Sequence, residues 1–290
     1  MNHVCTDVIN LGRTPHRFDG LVNTPVYRGS TILVNSFEEW EQHKQNGGGY
    51  RHYGRYGAAT TKSFESAINT LEGGAGCLVF PSGLSACTHT LTAFVQAGDH
   101  VLMADNVYGP TRSFADQILP RMGVEVEYFN PCDLAAFAQK LQTKTAVVYI
   151  ESPGSMTFEV TDLAAISELS HKKNAKVLVD NSWATPLFFQ PLQQGADVSI
   201  QSVTKYIGGH SDILMGTATA NADSIEQLSR VVYSFGETTS PDDTYLASRG
   251  LRSLAVRLKQ HNENGLAVAQ YLTAHASICL LYTSPSPRDG

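Results

Sequence analysis

Lys176-Val177-Leu178-Val179-Asp180 and, further on, Val198-Ser199-Ile200-Gln201-Ser202-Val203-Thr204-Lys205 are the stretches whose reading decides the fold. Each is a short run rich in β-branched residues that stops abruptly at side chains able to carry chemistry. Similar runs precede them at Cys77 to Phe80, Val101 to Ala104, Val124 to Phe129 and Ala146 to Ile150. The intervening segments have helical spacing: Thr61 to Leu71, Gly83 to Ala97, Arg112 to Met122 and Asp162 to Lys173. Short apolar strands alternating with helices are buried on both faces, which predicts an α/β domain built on a mostly parallel sheet covered by helices on both sides.

Outside this alternation the chain reads differently. Residues 1–60 contain Pro15, Pro25 and the run Gly47-Gly48-Gly49 and have little helical periodicity, as expected of an arm that reaches over another surface. Beyond Arg249 the sequence is helix-rich, and after His275 it passes into Leu280 to Gly290, which reads as a fusion or sequencing scar.

Bulk properties narrow the function classes. With 42% apolar and 17% charged residues in a 290-residue chain, the composition is that of a globular protein with a sizeable core. A formal net charge of -6 provides no basic footprint, so nucleic acid is not an expected partner and a small molecule is. The five cysteines are scattered and never form a C-x-x-C pair, which argues against a disulfide framework and a structural zinc site. No apolar run is long enough to span a bilayer, and Met1 to Arg17 lacks the apolar core of a secretory signal; a cytoplasmic protein is expected.

In parallel sheets ligands bind beyond the carboxyl ends of the strands, so the residues there are the candidates. Ser82-Gly83 lies where a strand turns into a helix, a place suited to a phosphate, although such pairs also occur for steric reasons alone. Asp180 ends an apolar strand, where an ionised carboxylate needs a partner: a protonated pyridine nitrogen, a helix N-terminus or an internal cation. Lys205 follows two hydroxyls, Ser202 and Thr204, which could hold a phosphate while the amine condenses with an aldehyde; an ordinary solvated lysine is the competing reading. Tyr108, at a neighbouring strand end, can stack on a flat ring or be a core tyrosine. His210 and Asp212 have no further ligand at metal spacing, and no metal is assigned. Arg249, Arg252 and Arg257 read most simply as a solvated helix face, with contact to an anionic substrate as the alternative.

Taken together, five segments resemble the family of Cys/Met-metabolism enzymes dependent on pyridoxal 5'-phosphate (PLP), from about Asp7 to about His275. They are Tyr53-Gly54-Arg55-Tyr56-Gly57, Leu71-Glu72-Gly73-Gly74, Asp180-Asn181-Ser182-Trp183-Ala184-Thr185-Pro186, Ser202-Val203-Thr204-Lys205-Tyr206 and Gly208-Gly209-His210-Ser211-Asp212. The resemblance implies the fold type I, PLP-dependent transferase-like large domain. It makes Lys205 the Schiff-base lysine, Asp180 the partner of the pyridine nitrogen and Tyr108 the stacking ring. Ser82, Gly83, Leu84, Ser202 and Thr204 would hold the cofactor, joined by Tyr53 and Arg55 from a neighbouring subunit. Lys205, Tyr108 and Tyr53 would serve the proton transfers. A homo-oligomer follows, at least a dimer and by family habit a tetramer.

The Tyr-Gly-Arg start of the arm motif and Glu151-Ser152-Pro153-Gly154-Ser155-Met156-Thr157-Phe158-Glu159-Val160 resemble the bacterial β-lyases within that family. This implies β-elimination of a sulfur amino acid, L-cystathionine, to homocysteine, pyruvate and ammonia, a transsulfuration-type lyase of methionine biosynthesis. The alternatives are γ-elimination or γ-replacement, a PLP-binding fragment without activity, and a dinucleotide-binding protein. The last lacks a G-x-G-x-x-G after any strand. The division expected from the resemblance is an arm over 1–60, a PLP-binding large domain over 61–250, the start of a helix at 251–277 leading to a smaller C-terminal domain that the chain lacks, and a non-native tail at 278–290.

Overall fold

The computed structural model describes residues 2–45, 53–279 and 281. The glycine run at 47–49 and most of the tail at 278–290 therefore lie outside the described residues. Two short helices precede the sheet, α1 (Asn2–Asp7) and α2 (Phe37–Gln45), and Thr31 bridges Tyr53. The arm is thus less irregular than its sequence suggests. In α2 the side chains of Ser36 and Glu39 supply local capping bonds: Glu39 N–H donates to Ser36 Oγ, and Asn35 N–H donates to Glu39 Oε2.

From α3 (Ala59–Glu72) onward the elements alternate: β1 (Gly76–Phe80), α4 (Gly83–Ala93), β2 (His100–Ala104), α5 (Gly109–Gln117), β3 (Glu125–Phe129), α6 (Leu134–Lys140), β4 (Thr145–Glu151), α7 (Leu163–His171) and β5 (Lys176–Asp180). The short α8 (Thr185–Phe188), β6 (Val198–Ser202), β7 (Gly216–Ala220), α9 (Ile225–Phe235), α10 (Pro241–Arg252) and α11 (Leu254–Ala274) follow. The strands form one sheet in the order β1-β7-β6-β5-β4-β2-β3. All pairings are parallel except those of β7, which runs antiparallel to both β1 and β6.

The two faces are filled by the strand alternation itself. Along β1, Leu78 and Phe80 join the cluster that includes Leu91 of α4 and Leu228 and Val232 of α9, whereas Cys77 and Val79 join Phe64, Ile68 and Leu71 of α3 and Leu251 and Leu254 of α10 and α11. Helices consequently cover both faces, as expected. Arg257 is not part of a solvated face. It is half-buried and donates to the carbonyls of Tyr206, Ile207 and Gly250, tying α11 to the turn after β6. Arg252 similarly donates to Val8 O and holds the start of the chain against α10.

Glu72, the last residue of α3, is fully buried under β6. Its Oε1 accepts from Ser199 Oγ at 3.0 Å and Gln201 Nε2 at 2.8 Å, while Oε2 has no partner among the described residues. Burial raises this carboxyl from 4.5 to about 7. Between those values the unfolded chain releases a proton that the folded chain keeps, so stability falls as pH rises through the window and is level on either side. A slope of about 1 kcal/mol per pH unit is expected in urea unfolding of the apo-chain, and Glu72→Gln should remove it. An unchanged slope in that variant would show that another group sets the pH dependence.

Candidate active site

The carboxyl ends of β1, β2, β4, β5 and β6 open into one cleft of about 1110 Å³. Ser82, Gly83, Leu84, Tyr108, Asp180, Ser202, Thr204 and Lys205 all line it, so every candidate expected from the chain's own strand ends is brought together. The remaining two are not. Tyr53 is exposed beside the Thr31 bridge, and Arg55 donates from Nη1 to Tyr233 O at 2.8 Å and from Nη2 to Tyr56 Oη at 2.8 Å, both outside this cleft.

The end of β1 is shaped for an anion. Ser82 caps α4, its Oγ accepting from Ser85 N–H, while Ala86 N–H reaches Ser82 O. The N–H groups of Gly83 and Leu84 are left without intrahelical acceptors at the positive end of the helix. Gly83 is required by close approach: a Cβ there would lie 2.6 Å from Ser202 Oγ. Ser202 Oγ makes no hydrogen bond among the described residues, whereas Thr204 Oγ1 donates to Met215 O at 3.2 Å and accepts from Met215 N–H at 3.0 Å.

On the cleft floor Asp180 is only 7% exposed. Its Oδ1 accepts from Ser182 N–H at 3.0 Å and Ser182 Oγ at 2.6 Å, and Cys87 Sγ lies 3.6 Å from Oδ2. No cation pairs with it among the described residues, and burial raises its carboxyl above the usual range against the pull of the Ser182 bonds. Of the partners open to it in the sequence, an internal ion pair is thereby removed. A buried carboxylate in want of a cation, an anion cradle at a helix start, a lysine and a half-exposed tyrosine ring fit the pyridine nitrogen, phosphate, aldehyde and flat face of PLP.

Lys205 sits on the turn after β6, its N–H donating to Ser202 O at 3.1 Å. It forms no ion pair among the described residues. Tyr108 precedes α5 and is 46% exposed. Glu151, Ser182, Trp183, Ser211 and Asp212 also line the cleft, none of them assigned to the site from sequence. For Glu151 a signal existed: it ends the apolar run of β4 just as Asp180 ends β5, and the two are register partners. Among the described residues no group of three or more His, Cys, Asp or Glu could hold a metal, and no helix is long and apolar enough to cross a membrane.

Several known proteins resemble this chain over most of its length. A protein of Rhizobium johnstonii is 44% identical over 267 residues, 92% of this chain and 66% of that protein. Cystathionine beta-lyase MetC of Escherichia coli is 41% identical over 276 residues, 94% of this chain and 70% of the relative. The chain thus spans about two thirds of the length of these relatives. The crystal structure of metB from Corynebacterium glutamicum superimposes with a TM-score of 0.87 at 31% identity, over 94% of this chain and 69% of that one. The family described as Cys/Met metabolism PLP-dependent enzyme matches residues 5–286, which extends past the His275 limit of the resemblance read from motifs. With its fold and nearly its whole length in agreement, the chain belongs to the Cys/Met metabolism PLP-dependent enzyme family.

Proposed function

We propose that this chain is a carbon–sulfur lyase that cleaves L-cystathionine by β-elimination to homocysteine, pyruvate and ammonia, a step of methionine biosynthesis. The observation that carries the reading is the convergence of Lys205, Asp180 and the Ser82–Leu84 helix start in one cleft, in a chain related to a named cystathionine β-lyase. When bound, PLP supplies an electron sink for the charge left at the substrate Cα.

The chain's own groups do the rest. Asp180 would hold a positive ring nitrogen, and the N–H groups of Gly83 and Leu84 with the Ser82 and Ser202 hydroxyls would hold the phosphate, joined by Thr204 once its hydroxyl turns from Met215 O. Tyr108 would lie against the flat face. Lys205 would hold the cofactor through its amine, and the same amine, when free, would take up the Cα proton. The Cβ–S bond breaks with its electron pair going to sulfur, which takes up a proton and leaves as the homocysteine thiol; the three-carbon remainder is released as 2-aminoacrylate, which adds water to give pyruvate and ammonia. Tyr53 and Arg55, standing outside the cleft of their own chain, are assigned to the cleft of a neighbouring subunit. The active assembly is accordingly at least a dimer and in full form a tetramer, with a cytoplasmic location.

The test is incubation of the purified chain with PLP and L-cystathionine, with identification of the keto acid. Pyruvate accompanied by homocysteine is expected. Formation of 2-oxobutyrate would replace the reading with γ-elimination. Cofactor absorption with no keto acid would reduce the chain to a PLP-binding protein without lyase activity.

A further inference from the structure

Glu151 stands at the end of β4 directly beside Asp180, its register partner on β5. Its Oε2 accepts the main-chain N–H of Tyr108 at 2.6 Å. The loop after β2 that carries Tyr108 is therefore tied to the end of β4 at the cleft. It is tied to the following loop as well: Ser155 N–H donates to Asn106 O at 2.8 Å, and Asn106 Nδ2 donates to Glu159 Oε2 at 3.1 Å. Gly154 comes so close that a Cβ on it would fall 2.0 Å from Asn106 Nδ2. Tyr108 itself is held otherwise by the first turn of α5, where Arg112 N–H donates to its carbonyl at 3.0 Å. It precedes α5 with no side-chain cap, and its ring is half exposed to the cleft. The place of that ring follows from its main chain, which is held on the carbonyl side by Arg112 N–H and on the amide side by Glu151, the one side-chain hydrogen bond to it among the described residues.

We propose that Glu151 is a positioning residue of the cofactor site: by holding the Tyr108 N–H it sets where the Tyr108 ring stands over the cleft, and hence how tightly a flat aromatic cofactor is held. The inference rests on the PLP-dependent reading above and assigns a role that neither the motifs nor the family match supplies. The work is done by an accepting oxygen, not by a negative charge. Burial, and then the neighbouring Asp180, push the Glu151 carboxyl up to about 8, so near neutrality it is largely protonated and still able to accept from the amide. Glutamine can do the same; alanine cannot.

The test uses the full chain with Glu151→Ala, Glu151→Gln, Tyr108→Ala and the Glu151→Ala/Tyr108→Ala pair. Hydrogen exchange of the Tyr108 segment is followed in the apo-chain, and PLP affinity is followed by titration. Glu151→Ala should speed exchange and weaken PLP binding about tenfold, while Glu151→Gln recovers most of both. In the Tyr108→Ala background the affinity effect of Glu151→Ala should vanish, because no ring remains to be placed, yet the faster exchange should persist. Both single variants remove the same titratable carboxyl, so their difference isolates the acceptor. Equal losses in Glu151→Ala and Glu151→Gln, or an affinity loss that survives in the Tyr108→Ala background, would overturn the role given to Glu151. A wild-type chain that binds no PLP would overturn the proposed function itself, whereas wild-type binding with an unaffected Glu151→Ala variant would overturn only this inference.

Discussion

Lys205→Ala should lose turnover of L-cystathionine by at least ~10²–10⁴-fold, the range associated with a positioned general acid or base, and should lose the covalent link to the cofactor altogether. The fold should survive the change. Lys205 is exposed to the cleft and makes no ion pair among the described residues. The turn it occupies is held by main-chain bonds that alanine keeps: Lys205 N–H to Ser202 O at 3.1 Å, and Gly209 N–H to Lys205 O at 2.8 Å. Lys205→Arg should be as inactive as the alanine variant, because a guanidinium retains the charge but is never available as a neutral amine. The measurement is steady-state pyruvate release alongside the visible absorption of bound PLP. Turnover within tenfold of wild type in either variant would remove Lys205 from the chemistry.

The legibility of this protein in its sequence divides along physical lines. The strand ends were readable because a buried parallel strand needs an unbroken apolar run, so a polar residue that terminates one is conspicuous; β5, bounded by Lys176 and Asp180, has the limits expected of it. Helix ends were less so. The helix expected to reach Ala97 stops at Ala93, and the stretch from Arg112 to Met122 is α5 followed by a separate 3-10 turn, since Pro120 cannot continue an α-helix. Strand β7 was invisible. Gly216-Thr217-Ala218-Thr219-Ala220 has neither bulk nor branched apolar residues to mark it, and its small side chains are needed because α4 lies close: a Cβ on Gly216 would fall 2.5 Å from Ser82 O.

The same contrast applies to the site. Asp180 and Lys205 stand where the residues mark them as candidates and the resemblance gives them roles, and the cleft brings them together. Glu151 could be marked as a strand-end residue, but its bond was legible only in the fold, because its partner is a main-chain amide on a third strand's loop that no sequence spacing connects to it. Tyr53 and Arg55 present the opposite case: the motif that contains them is conspicuous, yet their own chain carries them away from the cleft. Their assignment depends on a second subunit. A dimer-dependent specific activity, falling on dilution, is what that assignment requires.

Asp180→Asn should move activity and stability in opposite directions. The wild-type apo-chain buries a carboxyl group whose charged form is disfavoured chiefly by desolvation, with no cation among the described residues to balance it. An asparagine keeps Oδ1 as acceptor for the Ser182 N–H and hydroxyl but carries no charge, so the apo-variant should be more stable by about 1–2 kcal/mol, a rise of a few degrees in Tm. The sign depends on pH. The folded carboxyl is raised above its ordinary 3.8, so the cost of burying it is absent below that value, builds as pH rises and is complete once the folded group ionises; the gain from asparagine should follow the same course. Activity should fall meanwhile by about 10²–10³-fold, the loss typical when a preorganised electrostatic group is removed, because a neutral amide cannot hold a positive ring nitrogen in place. Thermal unfolding of the apo-chain at acid and neutral pH, paired with kcat for pyruvate release, checks both halves. A destabilised variant would mean that the carboxylate is satisfied by the protein itself, and a variant with wild-type kcat would mean that Asp180 has no part in the chemistry. Stability gained where activity is lost would identify the unpaired carboxylate as a charge kept in the fold for its ligand.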